Sequence, residues 1–204
     1  MIHIYKPGGD SARPVLALLH GTGGNELDLL PLGERLSPGS ALLGIRGNVL
    51  ENGMPRFFRR LAEGVFDEED LTARTHELRA FLDEAAREYG FDRSRVVAVG
   101  YSNGANIAAS LLQHYSGVFA GAVLLHPMVP LRGREWAPQP GTPVFIGAGT
   151  NDPIVPGGET AELQGLLEAA GAQVAVHWSS QGHRLNAAEA EAAREWLGRL
   201  SYKR

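Results

Sequence analysis

The sequence predicts an α/β protein, a mostly parallel central sheet with helices on both faces, and three observations lead there. Short runs of Val, Leu, Ile and Ala recur without the alternation of a half-exposed strand, the pattern of strands buried on both faces. Amphipathic stretches lie between them, so strand and helix alternate along the chain. Finally, 204 residues that are 44% hydrophobic, with 26 Gly and 12 Pro spread along the length, suit a single domain over residues 1–204 with many short loops.

Taken in order, Met1 to Pro7 has neither the apolar core nor the cleavage pattern of a signal peptide. No later apolar run approaches membrane-spanning length, so a soluble, cytoplasmic protein without membrane contact is expected. Val15 to Leu19 is the first strand, closed by His20 and the turn Gly21-Thr22-Gly23-Gly24-Asn25, and Ala41 to Ile45 is the second. Gly47 to Phe66 shows no clear period, contains Gly53, Pro55 and Phe57-Phe58, and reads as a long loop that must be packed down. Arg56, Arg59 and Arg60 within it read as a solvated or salt-bridged surface. A helix follows from Glu68 to Tyr89, with Leu71, Leu78, Leu82, Ala85 and Tyr89 on one stripe, Asp67 as its cap, and Glu68, Glu69 and Asp70 favourably placed on its dipole. Val96 to Val99, Ala122 to Leu125, Val144 to Ile146 and Val174 to Val176 are the remaining strands, and a last helix begins near Asn186.

The charge of −4 with mixed signs gives no basic field for nucleic acid. The absence of cysteine excludes disulfides, thiolate metal sites and a cysteine nucleophile. Any covalent chemistry must use another residue.

One pentapeptide offers such a residue. Gly100-Tyr101-Ser102-Asn103-Gly104 stands directly after the Val96 strand and directly before an apolar helical stretch, the strand-turn-helix context of a G-x-S-x-G nucleophile elbow. The plain alternative is a tight turn whose serine caps the helix. A nucleophilic serine needs a base, and the base needs an acid to hold its tautomer. His183 lies on a loop after a strand, where a general base belongs; His126, which also ends a strand, is its rival. His20 is read as shaping its glycine-rich loop, and His3, His114 and His177 as surface or packing residues. His76 has no second histidine four residues on, so the zinc-helix pattern is absent and no metal is expected. Asp152, after the strand at Val144, supplies the acid, and the chain order Ser102, Asp152, His183 is that of the α/β-hydrolases. The turn Gly21-Thr22-Gly23-Gly24 offers a second backbone donor of an oxyanion hole beside the N–H of Asn103, with a simple structural turn as the plain alternative. The glycines around Thr22 complete neither a dinucleotide fingerprint nor a phosphate loop, and no organic cofactor is expected.

With these residues assembled, the chain resembles the phospholipase/carboxylesterase branch of the α/β-hydrolases, which also holds acyl-protein thioesterases. The resemblance runs over nearly the whole length, through Leu18 to Asn25, Arg46 to Val49, Gly100 to Asn106, Leu125 to Met128, Gly149 to Pro156 and Gly182-His183. It implies an α/β-hydrolase fold with no large cap domain, Ser102, Asp152 and His183 as the triad, and the N–H groups of Thr22 and Asn103 as the oxyanion hole. It also implies a small-molecule ester as substrate and leaves a homodimer open. Tyr101, Asn103 and Ala105 depart from the thioesterases' G-F-S-Q-G-G, so the likeness is nearer to small bacterial carboxylesterases. A thioesterase or lysophospholipase on the same triad, and a non-catalytic ligand-binding protein on this scaffold, are the other readings. Phe57, Phe58, Leu61, Phe66 and Met128 are the candidates to line an acyl pocket.

Overall fold

A computed structural model describes residues 1–200; residues 201–204, which the single-domain expectation includes, lie outside the described residues. The elements run β1 (His3–Lys6), β2 (Val15–Leu19), α1 (Leu30–Leu36), β3 (Ala41–Ile45), β4 (Val49–Glu51), β5 (Met54–Arg56), β6 (Arg60–Ala62), β7 (Val65–Phe66) and α2 (Glu68–Tyr89). They continue through β8 (Val96–Tyr101), α3 (Asn103–His114), β9 (Gly121–Leu125), β10 (Pro143–Gly149), α4 (Gly157–Ala169), β11 (Gln173–Ser179) and α5 (Ala187–Gly198).

Seven strands form the central sheet in the order β1-β3-β2-β8-β9-β10-β11, with β1 antiparallel to β3 and the other neighbours parallel. The strand residues divide between two apolar layers by the two-residue period of a strand. Ala17, Ala98, Leu124 and Ile146 face one layer with Leu71, Leu78 and Leu82 of α2, Ile107 and Leu111 of α3 and Leu163 of α4. Leu16, Leu18, Val97, Val99, Val123 and Phe145 face the other with Leu36 of α1 and Ala193 and Leu197 of α5. Continuous apolar runs are therefore required at the sheet's centre. β11 departs from that expectation: as an edge strand it is only half-buried along Val174 to Val176.

The helix at α2 has the predicted bounds, and the Asp67 carboxylate accepts from the Asp70 amide as its cap. Asp70 does more than complement a dipole, since its own carboxylate accepts from the Arg59 amide and ties the preceding segment to the helix. That segment corrects the sequence reading. Gly47 to Phe66 is not an unstructured loop but carries two small antiparallel hairpins, β4 with β5 and β6 with β7. Strands of two and three residues are too short to show a period, so no alternation marked them.

The strand order places a topological switch at β2. From β2 the chain passes through α1 to β3 on one side, then through α2 to β8 on the other, with α1 and α2 on opposite faces. Loops leaving β2 and β8 therefore diverge and open a crevice at their carboxyl ends. Thr22 and Ser102 stand in those two loops.

The turn after β8 is held by close packing. A Cβ on Gly104 would lie 2.0 Å from the Leu19 carbonyl oxygen, and one on Gly100 would lie 2.7 Å from the Ala105 Cα. Both obstacles are backbone, so neither can rotate away. Gly104→Ala is expected to destabilise the protein by about 3 kcal/mol or more, the upper range for overpacking, measured by denaturant unfolding; a change below about 0.5 kcal/mol would show that α3 is free to move off β2.

Candidate active site

Ser102 occupies φ 51°, ψ −113°, a strained conformation for a residue with a Cβ, and forms the N-terminal boundary of α3 without a side-chain capping bond. Its amide donates to the Leu125 carbonyl at 2.8 Å, locking the turn to β9. The hydroxyl is thus free of the helix, contrary to the capping alternative, and lies 2.8 Å from His183 Nε2. His183 Nδ1 is 2.7 Å from Asp152 Oδ2. A carboxylate only accepts, so Nδ1 carries the proton and Nε2 of the neutral ring accepts from the serine hydroxyl.

Three loops deliver these groups. Asp152 follows β10 and is buried, its Oδ1 accepting from the amides of Ile154 (2.8 Å) and Val155 (2.9 Å). Asn151 Oδ1 accepts from the Gly182 amide at 2.9 Å, joining the loop of Asp152 to that of His183. The Tyr101 hydroxyl donates to the His183 carbonyl at 2.7 Å, so the residue before Ser102 also fixes the backbone of His183.

Thr22 and Asn103 line the same cavity as Ser102 and His183, a space of about 300 Å³. The Thr22 loop is held from three directions. Its Gly23 amide donates to the Pro55 carbonyl, its hydroxyl accepts from Arg56 Nη1 at 2.6 Å, and His20 ties its base to Gly47. His20 Nδ1 donates to the Gly21 carbonyl and Nε2 accepts from the Gly47 amide, which suits a neutral ring; burial pushes its pKa below the usual histidine value despite that carbonyl. His20 therefore shapes the loop. Asn103 turns its side chain inward, where Oδ1 accepts from the Phe57 amide at 2.7 Å.

Several pocket expectations need correction. Phe57 and Phe58 are wholly buried in the α2–α3 layer and do not reach the cavity, because the Asn103 bond draws their backbone beneath the elbow. Leu61 is 73% exposed on β6 and is not among the cavity walls. Phe66 and Met128 do line it. Arg56 is not solvated surface but 3% exposed, donating to the Phe58 carbonyl, Thr22 and Glu51, and it lines the cavity with Arg60. Burial lowers its pKa, with Arg60 adding to that effect and Glu51 opposing it. A separate, wider groove of about 1040 Å³ between α2, α3 and residues 131–138 shares no wall with the Ser102 cavity.

The structure brings His183, not His126, to the serine. His126 lies behind Asp152, its Nδ1 3.0 Å from Oδ2 and its Nε2 3.3 Å from Glu189 Oε2, with all three residues buried. The sequence does not single out Glu189, since Asn186-x-x-Glu189 at a helix start matches a capping pattern. The Asn186 side chain does accept from the Glu189 amide, but the glutamate side chain turns into the protein. His126, Asp152 and His183 offer three potential metal-ligand atoms within 4.8 Å of one another. Each of those atoms is already directed at another member of the cluster, and a ring nitrogen that carries a proton cannot ligate.

For Asp152, burial raises the pKa, but the amide of Val155, His183 and the amide of Ile154 together outweigh it and leave the carboxyl below its ordinary value. For His126, burial lowers the pKa, and the bonds and charges of Glu189 and Asp152 outweigh that and raise it.

A doubly covered parallel sheet with a serine elbow at its switch point defines an α/β-hydrolase, and among the described residues no helix is long and apolar enough to cross a membrane. Residues 53–202 match the dienelactone hydrolase family, and the chain belongs to that family. It is 60% identical over 196 residues, 96% of this chain and 97% of the relative, to the MhqD protein of Bacillus subtilis (strain 168). Among solved structures it is similar to the Bacillus cereus carboxylesterase, at 62% identity and a TM-score of 0.95 over 96% of this chain and 92% of that one. A carboxylesterase from Mesorhizobium loti is 32% identical, with a TM-score of 0.89 over 95% and 91% of the two chains. These relatives agree with the carboxylesterase resemblance read in the motifs, while the matching family carries the dienelactone hydrolase description.

Folding raises the His126 pKa, so the stability it contributes is complete below the unfolded value near about 6.5 and is lost as pH rises through the raised folded value. His126→Gln is accordingly expected to cost more stability at acid than at alkaline pH, measured by urea unfolding at both ends; an equal loss would contradict a cationic ring.

Proposed function

We propose that the chain is a serine carboxylesterase that hydrolyses small or short-chain carboxylic esters through Ser102, His183 and Asp152. The observation that carries this reading is the unbroken hydrogen-bonded line from Ser102 Oγ through the His183 ring to Asp152, opening on a cavity walled by Thr22 and Asn103. His183 Nε2 takes the hydroxyl proton as Ser102 Oγ bonds to the ester carbonyl carbon. Negative charge then gathers on the carbonyl oxygen, and the amides of Thr22 and Asn103 are the donors assigned to it. The imidazolium returns the proton to the leaving alcohol as the carbon–oxygen bond breaks, and the acyl-enzyme remains. Water, activated by the same Nε2, releases the acid and restores the serine. Asp152 holds the tautomer and balances the imidazolium charge throughout.

Size and lining argue for the substrate class. A cavity near 300 Å³ is at the low end for small-molecule sites, and its lining includes the apolar Phe66, Met128 and Val155 as well as Arg56 and Arg60. Hydrolysis is expected to fall as the acyl chain lengthens beyond what that apolar lining covers. A series of nitrophenyl esters, with a thioester of matched acyl group, measures both the length preference and the choice between oxygen and sulfur leaving groups. Undiminished turnover of long-chain esters would overturn the size argument.

Ser102→Ala should lower kcat by about four to six orders of magnitude, by analogy with triad knockouts in other serine hydrolases. Labelling with a fluorophosphonate should be complete in the wild type and absent in that variant. Because Nε2 must be unprotonated to accept, kcat/KM should rise from acid toward neutral pH. A folded wild-type protein that resists the label would turn the reading toward a ligand-binding protein on a hydrolase scaffold.

A further inference from the structure

Three costly features meet at one point behind the proposed acid. His126, at the end of β9, has φ 55°, an uncommon conformation for a residue with a Cβ. Its ring is 1% exposed and stands between two buried carboxylates, Asp152 on Nδ1 and Glu189 on Nε2. Gly147, in the middle of β10, leaves the space that Glu189 enters: a Cβ there would lie 2.2 Å from Oε1. A well-packed apolar pair would fill such a place at lower cost than buried charges.

We propose that His126 and Glu189 are positioning residues of the hydrolytic site, a buried imidazolium–carboxylate pair that fixes Asp152 Oδ2 in line with His183 Nδ1. The inference rests on the serine-hydrolase reading above. Carboxylates accept and do not donate, so a ring that faces one with each nitrogen is satisfied only when both nitrogens carry protons. The charges and bonds of both carboxylates favour that cation, raising the His126 pKa against its burial. The pair completes the coordination of Asp152: Oδ1 takes the amides of Ile154 and Val155, and Oδ2 takes His183 at 2.7 Å and His126 at 3.0 Å. With every lone pair directed, the carboxylate cannot rotate away from His183. Glu189 offsets the His126 charge, so the pair adds a hydrogen bond without cancelling the field that Asp152 applies to the base.

Among the described residues, the titratable groups facing His126 are few. They are Asp152 from the loop after β10, Glu189 from α5, the His183 ring at 5.1 Å from the loop after β11, and the Tyr101 ring at 6.0 Å from the end of β8. Burial raises the Tyr101 phenol, and Glu189 and Asp152 add to that effect, so it stays neutral around the ring.

The test has one arm that needs no substitution. In wild-type protein carrying 15N-histidine, the His126 ring should show two N–H protons and hold them from acid pH through neutral pH. A singly protonated ring overturns the proposal. In the second arm, the double variant His126→Gln/Glu189→Gln removes both charges together and leaves neither stranded. It should lower kcat by about ten- to a hundredfold through misalignment of the base while KM stays within about twofold, and it should shift the low-field proton shared by His183 and Asp152. Unchanged kcat and an unmoved proton resonance in folded double variant overturn the positioning role. A rise in KM that accounts for the whole loss does the same. Fluorophosphonate labelling of the wild type separates this from the parent reading. A wild type that neither labels nor turns over overturns the serine-hydrolase assignment itself, whereas a neutral His126 in a labelled, active protein overturns only the pair.

Discussion

The first turn of α3 presses directly on the carboxyl end of β2, with no side chain between Gly104 and the Leu19 carbonyl. That contact sets the angle at which the chain leaves β8, and the angle in turn forces Ser102 into positive φ and directs its hydroxyl away from the helix. Strain of this kind persists only where surrounding structure over-determines it. Here the Leu125 carbonyl takes the Ser102 amide from one side, and β2 and β8 are paired strand against strand from Val15–Val96 to Leu19–Gly100 on the other. The same contact puts the Thr22 loop beside the serine, because that loop begins at His20, directly after Leu19.

A second level of organisation joins loops from different strands. Asn151 to Gly182, Tyr101 to the His183 carbonyl, and Asp152 to His183 are all bonds between separate segments, so the site is a crosslinked rim rather than one motif. Asp152 sits at its centre, reached by two amides of its own loop and by two histidine rings. The stiffness of that rim follows from the number of independent segments that would have to move together for any one group to shift.

The hairpin segment 47–66 has two faces with different work. Inward, Phe57 and Phe58 anchor it in the core, and the Asp70 carboxylate holds its Arg59 amide. Toward the cavity, Arg56, Arg60 and Phe66 form wall, and Arg56 braces Thr22. One short segment thereby couples the apolar layer under α3 to the loop that carries a proposed oxyanion donor.

The amino-acid sequence by itself determined the alternation of buried strands and helices, the bounds of α2 with its Asp67 cap, the elbow around Ser102, and the loops bearing Asp152 and His183. Each is written in local pattern: apolar runs, a helical stripe, a capping side chain, or Gly and Ser at fixed spacing after a strand. Tertiary structure alone decided which histidine reaches the serine, since His126 and His183 both follow strands at the same, carboxyl edge of the sheet. It also decided that Phe57 and Phe58 are core while Phe66 is wall, that Arg56 is buried, and that Glu189 turns inward. Those outcomes depend on pairings 26 to 81 residues apart, such as Asp152 with His126 and Ser102 with His183. No local period or propensity encodes a contact of that range; it exists only once the sheet has brought the ends of β8, β9, β10 and β11 side by side.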